Sequence, residues 1–166
     1  DEDLILISDV DEIPNFNSIN LNSIKNKIIL FEQDIFYYKL NRFLPNFKWY
    51  GTKGCKKKYL KNPQWLRNVK NKKFYFWRID TFFSDKKYIN KSIIKNGGWH
   101  FSNLKKAEDI ELKLKSYLHH VDYLADELGS KRIDEIMKKN ETLYDMYGDK
   151  TSNKYNDTKR KKLEIY

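Results

Sequence analysis

The stretch Leu4-Ile5-Leu6-Ile7-Ser8-Asp9-Val10-Asp11-Glu12-Ile13-Pro14 decides how this chain reads, because an apolar run ends directly in an acidic cluster. Leu4 to Ile7 has the length and branched composition of a buried strand. Asp9, Asp11 and Glu12 then sit at its carboxyl end, where open α/β folds place ligands. If strand geometry persists, alternation sets Asp9 and Asp11 on one side. Two carboxylates so placed can share a hard divalent cation, and that cation can neutralise a diphosphate. The plainer alternative is an acidic turn closed by Pro14, since Asp favours turns and Pro stops strands.

The chain has 166 residues, enough for one substantial core and hardly two. Its first strand-like segment starts at Leu4 with no element before it, so a doubly wound α/β domain would lack its first strand. We therefore expect the later portion of a longer chain. Lys and Arg number 33 against 23 Asp and Glu, a net charge of +10. That balance suits polyanions or anionic membranes, or simply keeps a lysine-rich surface soluble. The charge is uneven: Lys53 to Lys73 holds nine basic residues and no acid, whereas the first twelve residues hold acids and no base. An acidic mouth suits a metal; a basic stretch can contact phosphate or an acceptor, or form a solvated face. Cys55 is alone, which excludes a disulfide within this chain and a four-thiolate zinc site. No apolar run reaches membrane-spanning length.

Further along, Ile28 to Leu40 predicts one or two strands interrupted near Glu32-Gln33-Asp34, and Phe47 to Tyr50 predicts a strand turned at Gly51. Tyr59 to Val69 predicts a short helix started near Pro63, with Trp65, Leu66 and Val69 at helical spacing. Phe74-Tyr75-Phe76-Trp77-Arg78-Ile79 again reads as a strand, ended by Asp80. The pair Gly97-Gly98 permits a tight turn or close approach to a ligand. His100 beside it can be a metal ligand, a diphosphate donor or a structural hydrogen-bonding group. Leu104 to Leu128 has the clearest helical period, through Ile110, Leu114, Leu118, Val121 and Leu124, with Gly129 ending it and Ser130 capping a helix over Ile133 to Lys138. Beyond Gly148 the chain is polar and basic, with Leu163, Ile165 and Tyr166 available for a small edge strand. The twelve Tyr, ten Phe and four Trp can fill a core or offer a stacking platform for sugar rings.

Ser8-Asp9-Val10-Asp11-Glu12-Ile13-Pro14 closely resembles the family of β-1,4-N-acetylglucosaminyltransferases that includes the enzyme adding bisecting N-acetylglucosamine to N-glycans, glycosyltransferase family 17. Trp49-Tyr50-Gly51-Thr52, Leu66-Arg67, Gly97-Gly98-Trp99-His100-Phe101-Ser102, and Glu108 through Lys113 to Ser116 and His119 resemble the family's successive motifs in the same order. Together these cover about Asp1 to Val121. The resemblance implies an α/β, GT-A-like nucleotide-sugar transferase with its first strands missing. Residues 1–148 would be the partial transferase domain and 149–166 a basic peripheral tail. It implies an inverting, metal-dependent transfer, with Mn²⁺ or Mg²⁺, of a sugar such as N-acetylglucosamine from a UDP-sugar to a glycan hydroxyl.

On that carry-over Asp9 and Asp11 face the metal and donor diphosphate, Glu12 orients the loop or touches the donor sugar, and His100 completes the metal shell or binds diphosphate. Arg67 and Lys113 are candidates for diphosphate or acceptor contacts, and Trp99 for stacking on a sugar. The base that takes the acceptor proton is sought among Glu108, Asp109 and Asp80, with Glu108 preferred because it opens the long helix. The chain departs from the family at His119-His120-Val121-Asp122, where a Glu usually follows the histidine. An upstream section, on the same or a separate chain, would supply the nucleoside pocket. Its setting would be cytoplasmic if the chain is microbial or viral, and the secretory lumen if an upstream anchor exists. Two competing classes are a non-catalytic carbohydrate- or polyanion-binding remnant and a magnesium-dependent phosphoryl-transfer or hydrolase domain. The second lacks a phosphate-cradling loop.

Overall fold

The computed structural model describes residues 1–20, 24–116, 123–124, 127–144 and 160–166. They form an α/β fold whose strands are β1 (Leu4–Ile7), β2 (Glu12–Pro14), β3 (Ile28–Phe31), β4 (Gln33–Tyr37), β5 (Arg42–Trp49), β6 (Lys53–Lys56), β7 (Lys91–Ile94), β8 (Gly98–Ser102) and β9 (Glu164–Ile165). The helices are α1 (Pro63–Asn68), α2 (Ala107–Ser116) and α3 (Gly129–Lys138). Two compact units result, one of Asp1–Asp34 with Lys48–His100 and one of Ile35–Phe47 with Phe101–Tyr166.

In the first unit a four-stranded sheet runs in the order β1-β6-β3-β7. All four side chains of β3 are buried, as a strand covered on both faces requires. It pairs antiparallel with β6 and parallel with β7, Ile28 opposite Lys91 and Phe31 opposite Ile94. Against this sheet α1 packs Trp65, Leu66 and the following Val69, which join Ile28, Leu30 and Cys55 in one buried cluster. Each such side chain contributes about 1.5–3 kcal/mol on burial. The sequence starts α1 where expected: Pro63 takes the first turn and Asn62 Oδ1 accepts from Trp65 N–H at 2.7 Å. Tyr59 instead belongs to a separate 3₁₀ turn, Lys57–Tyr59.

Two readings of this unit are corrected. β1 is not a fully buried strand; among the described residues it lies at the sheet edge, antiparallel to β6, and its four residues are half-buried. Nor is Phe74 to Ile79 a strand. That segment has aromatic β propensity but no ladder partner among the described residues, and it folds into successive turns ending in a 3₁₀ turn, Ile79–Thr81. The lysine-bounded β6 escaped the sequence pattern altogether. The short β2 pairs antiparallel with β8, Glu12 opposite His100 and Pro14 opposite Gly98. Gly98 sits at φ +131°, and a Cβ there would lie 2.1 Å from the Ile13 carbonyl oxygen, so glycine alone fits.

In the second unit β5 pairs antiparallel with β9, Arg42 opposite Ile165. The buried Tyr38 donates its hydroxyl to Glu141 O at 2.8 Å, and Arg42 Nη1 donates to Met137 O at 2.8 Å near the carbonyl end of α3. Helices α2 and α3 pack together, burying Ala107, Ile110, Ile133 and Ile136. The expected helix over Leu104 to Leu128 starts later, at Ala107; Leu118, His119, His120, Val121 and Asp122 lie outside the described residues. Gly129, at φ +71°, begins α3 and does not merely end its predecessor. Its N–H donates to Tyr123 Oη at 3.2 Å, and Leu128 occupies the cap position in place of Ser130. Of the basic tail, residues 160–166 are described: Leu163 is buried and Glu164–Ile165 form β9.

Candidate functional site

The chain leaves β1 at Ile7 and turns back over Asp9 to Glu12, where Glu12 N–H donates to Asp9 O at 3.0 Å. Because the strand has ended, the alternation expected for Asp9 and Asp11 does not apply; both belong to a tight turn with Val10 fully exposed at its tip. The turn is built around the side chain of Glu12, which is buried. Glu12 Oε2 accepts the Asp9 N–H at 3.0 Å and the Thr52 hydroxyl at 3.3 Å, and Oε1 accepts the Trp49 indole N–H at 2.6 Å. Thr52 Oγ1 in turn lies 2.7 Å from Ser8 Oγ and accepts from Gln33 Nε2 at 3.1 Å. Gly51 makes room for this arrangement, since a Cβ there would fall 1.5 Å from Glu12 Oε1.

Burial pushes the Glu12 carboxyl up, but the His100 imidazole, the Trp49 indole and the Asp9 N–H together outweigh burial and hold it down to about 2. His100 Nδ1 lies 3.7 Å from Glu12 Oε1, beyond hydrogen-bond length, so the imidazole acts on the carboxylate across a charge–charge distance while the two N–H groups donate to it directly. Nδ1 is itself buried and finds no hydrogen-bond partner among the described residues, and the His100 ring packs on Trp49 with centroids 4.9 Å apart. Trp99 is exposed on β8 opposite Ile13.

Arg67, in the last turn of α1, pairs through Nη2 with Asp9 Oδ1. The end of α1 is fixed from below by the buried Lys53, whose Nζ donates to Arg67 O at 2.5 Å and Val69 O at 2.7 Å. Burial pushes Lys53 down to about 8, with Glu12 opposing that shift. An acidic turn, a guanidinium docked on its first carboxylate and an imidazole behind its buried glutamate therefore meet in one place.

The family model of glycosyltransferase family 17 matches residues 1–162, which is nearly the whole chain. The chain belongs to glycosyltransferase family 17. No curated protein and no solved structure shows significant similarity to it. Family 17 membership raises the question of a cation. The donor set at Asp9 and Asp11 is of hard oxygens, which fits Mg²⁺ or Mn²⁺. Among the described residues no three His, Cys, Asp or Glu side chains converge on one point. A cation on this turn of the family 17 chain would therefore complete its shell with phosphate and water, the usual habit of Mg²⁺. Glu12 is committed to its N–H and hydroxyl donors, and His100 turns Nδ1 toward Glu12.

The other residues singled out in this family 17 sequence lie apart from the turn or in the second unit. Asp80 sits on the 3₁₀ turn Ile79–Thr81 and accepts from Arg78 at 2.8 Å and Lys87 at 2.6 Å. Those cations hold its carboxyl down to about 2, which makes it a weak base. Glu108 and Asp109 occupy the first turn of α2, and Glu108 lines a cavity of about 520 Å³ with Tyr38, Lys39, Lys105 and Asp134. Lys113 Nζ donates to the buried Asn103 Oδ1 at 3.0 Å. Ser8, Gln33, Trp49, Thr52 and Lys53 carry the turn without having been assigned roles. The sequence signal for part of this group is Gly51 between Trp49 and Thr52, a glycine whose missing side chain is another residue's space. Among the described residues no helix is long and apolar enough to cross a membrane.

Proposed function

We propose that this chain transfers a sugar, with inversion, from a UDP-sugar to a glycan hydroxyl, and that the Ser8–Glu12 turn receives the donor diphosphate. The observation that carries this reading is the acidic turn organised on buried Glu12 with Arg67 docked on Asp9. A divalent cation held by Asp9 and Asp11 would neutralise the leaving diphosphate. Arg67 presents a planar fork suited to bidentate phosphate contact at the same turn. His100 and Glu12 stand behind the turn and set its shape. In the displacement the acceptor oxygen bonds to the anomeric carbon as the bond from that carbon to the diphosphate oxygen breaks, and the hydroxyl proton passes to a carboxylate. Glu108 is the carboxylate we assign, ahead of Asp109; Asp80 is already paired with two cations. UDP-N-acetylglucosamine is the favoured donor because the ordered motifs resemble N-acetylglucosaminyltransferases, and a GT-A-like domain belongs to the same reading.

The test is calorimetric titration of UDP-N-acetylglucosamine into the chain with and without Mn²⁺, alongside Asp11→Asn. Mn²⁺-dependent binding weakened about tenfold or more in the variant, a loss of ~1.4 kcal/mol, supports the assignment. A folded protein that binds no donor in Mn²⁺ overturns the assignment of the donor site to this turn.

A further inference from the structure

The segment Phe74–Phe83 belongs to the first unit but takes no part in its core. Tyr75, Phe76, Trp77, Ile79, Phe82 and Phe83 are each between 61 and 87% exposed. Single exposed apolar residues are ordinary; six within ten positions are not. The loop that carries them is built and closed. Lys70 N–H donates to Lys86 O at 2.8 Å across its base, Lys91 Nζ donates to Lys70 O and Lys72 O, and Trp65 Nε1 donates to Asp85 O at 2.6 Å. Within it, Arg78 N–H donates to Tyr75 O, Thr81 N–H to Arg78 O and Phe82 N–H to Ile79 O, so backbone groups at the tip find partners locally.

Three observations select the partner. First, the polar side chains at the tip are answered within the loop: Asp80 by Arg78 and Lys87, and the Thr81 hydroxyl by Arg78 O at 2.7 Å. A sugar site needs convergent polar groups beside an open ring face. Here Tyr75 and Trp77 stack on each other, centroids 4.4 Å apart and 8° from parallel, with Phe76 edge-on to Trp77. Second, residues 70–91 carry seven basic side chains against Asp80 and Asp85. A self-complementary contact with a second copy would set those cations against each other, whereas an anionic surface complements them. Third, aromatic rings flanked by Lys and Arg match the boundary between headgroups and acyl chains, where an apolar ring and a cation are satisfied together.

We propose that the Phe74–Phe83 loop docks this protein on an anionic lipid surface, inserting Trp77, Phe82 and Phe83 while Lys72, Lys73 and Lys86 engage headgroups. This assignment is independent of the donor site and holds whether or not the chain is an active transferase.

The experiment is co-sedimentation of the chain with vesicles of pure phosphatidylcholine and of phosphatidylcholine with 30% phosphatidylserine, in low and high salt. It is combined with Trp emission and quenching by bromine-labelled acyl chains. The expected result is binding to the anionic vesicles with a blue shift and quenching that disappear in Trp77→Phe. Phe82→Ser with Phe83→Ser weakens binding about tenfold or more while thermal unfolding is unchanged. Each Lys-to-Glu change at Lys72 or Lys73 weakens it about fivefold or more. Failure to bind anionic vesicles overturns the proposal. So does binding that the Phe82 and Phe83 changes leave intact, which would be adsorption by net charge alone. A self-association, or an affinity for chitin oligosaccharides, abolished by the same two changes in a protein that ignores vesicles would reassign the loop to a second copy or to a glycan.

Discussion

The Ser8–Glu12 turn and the Phe74–Phe83 loop lie in the same unit and are opposite in their relation to water. At the turn a carboxylate is buried and given N–H and hydroxyl donors from Asp9, Trp49 and Thr52. In the loop six apolar side chains are left in solvent, and the polar ones pair among themselves. A buried charge is tolerated only with a full set of partners, so the turn is rigidly specified by distant parts of the chain. An exposed ring needs no partner to keep the fold, so the loop is free to be shaped by what it meets. Glu12 and Asp80 make the contrast in miniature. Both carboxyls are held near 2, the first by the His100 imidazole and the Trp49 and Asp9 N–H donors against the pull of burial, the second by two surface cations that salt and solvent screen.

Glu12→Gln is the change that should break the turn most severely. The amide puts an NH₂ or a neutral oxygen where Asp9 N–H, Trp49 Nε1–H and Thr52 need an anionic acceptor, at a cost of about 2–3 kcal/mol near pH 7. The sign with pH follows from the depressed carboxyl. Its contribution is complete above the ordinary value of 4.5 and is lost as pH falls toward about 2. Urea unfolding of both proteins at pH 7, 4 and 2.5 should show the gap narrowing into acid. A gap constant across that window would deny Glu12 its place at the centre of the turn.

Lys53 sharpens the comparison from the other side, as a buried cation that braces the helix bearing Arg67. Its folded value of about 8 lies below the ordinary 10.5, so between those limits the unfolded chain holds the proton more tightly. Stability referred to Lys53→Met should rise with pH across that window, and the variant should be about 1–3 kcal/mol less stable at pH 8 because Arg67 O and Val69 O lose their donor. Thermal unfolding in buffers from pH 7 to 10.5 measures both effects. A difference that falls with pH would show that Lys53 is not confined as described.

What the sequence disclosed follows the range of the interactions. β3 was legible because Ile28 to Phe31 is branched, apolar and short, and its break before Gln33 fell in the polar triplet Glu32-Gln33-Asp34. The start of α1 was legible because Pro63 acts at the first turn itself, and the Asn62 cap that the structure adds lies within three residues. The acid cluster was visible as composition. Its organisation was not, because the Glu12 partners Trp49 and Thr52 lie 37 and 40 residues away and Arg67 is 58 residues from Asp9. β6 was hidden because Lys-Gly-Cys-Lys shows no alternation, although Lys53 and Cys55 are both buried. The Phe74–Ile79 segment misled for a related reason: aromatic residues suit a half-buried sheet surface, and whether a ladder partner exists is not written locally.

Phe83→Ser is the smallest of these effects and the most direct check on the contrast. Phe83 is the most exposed of the loop's large side chains, and its removal takes little apolar surface from any interior. The unfolding free energy should therefore change by no more than about 0.5 kcal/mol, the range of surface substitutions away from structural features. Denaturant titration of the isolated protein measures it directly. A loss above about 1 kcal/mol would mean that the ring is packed in solution, and the loop would then belong to the core that the Ser8–Glu12 turn already depends on. A negligible loss leaves Phe83 without a role in folding, and its ring is then free for whatever the folded protein touches.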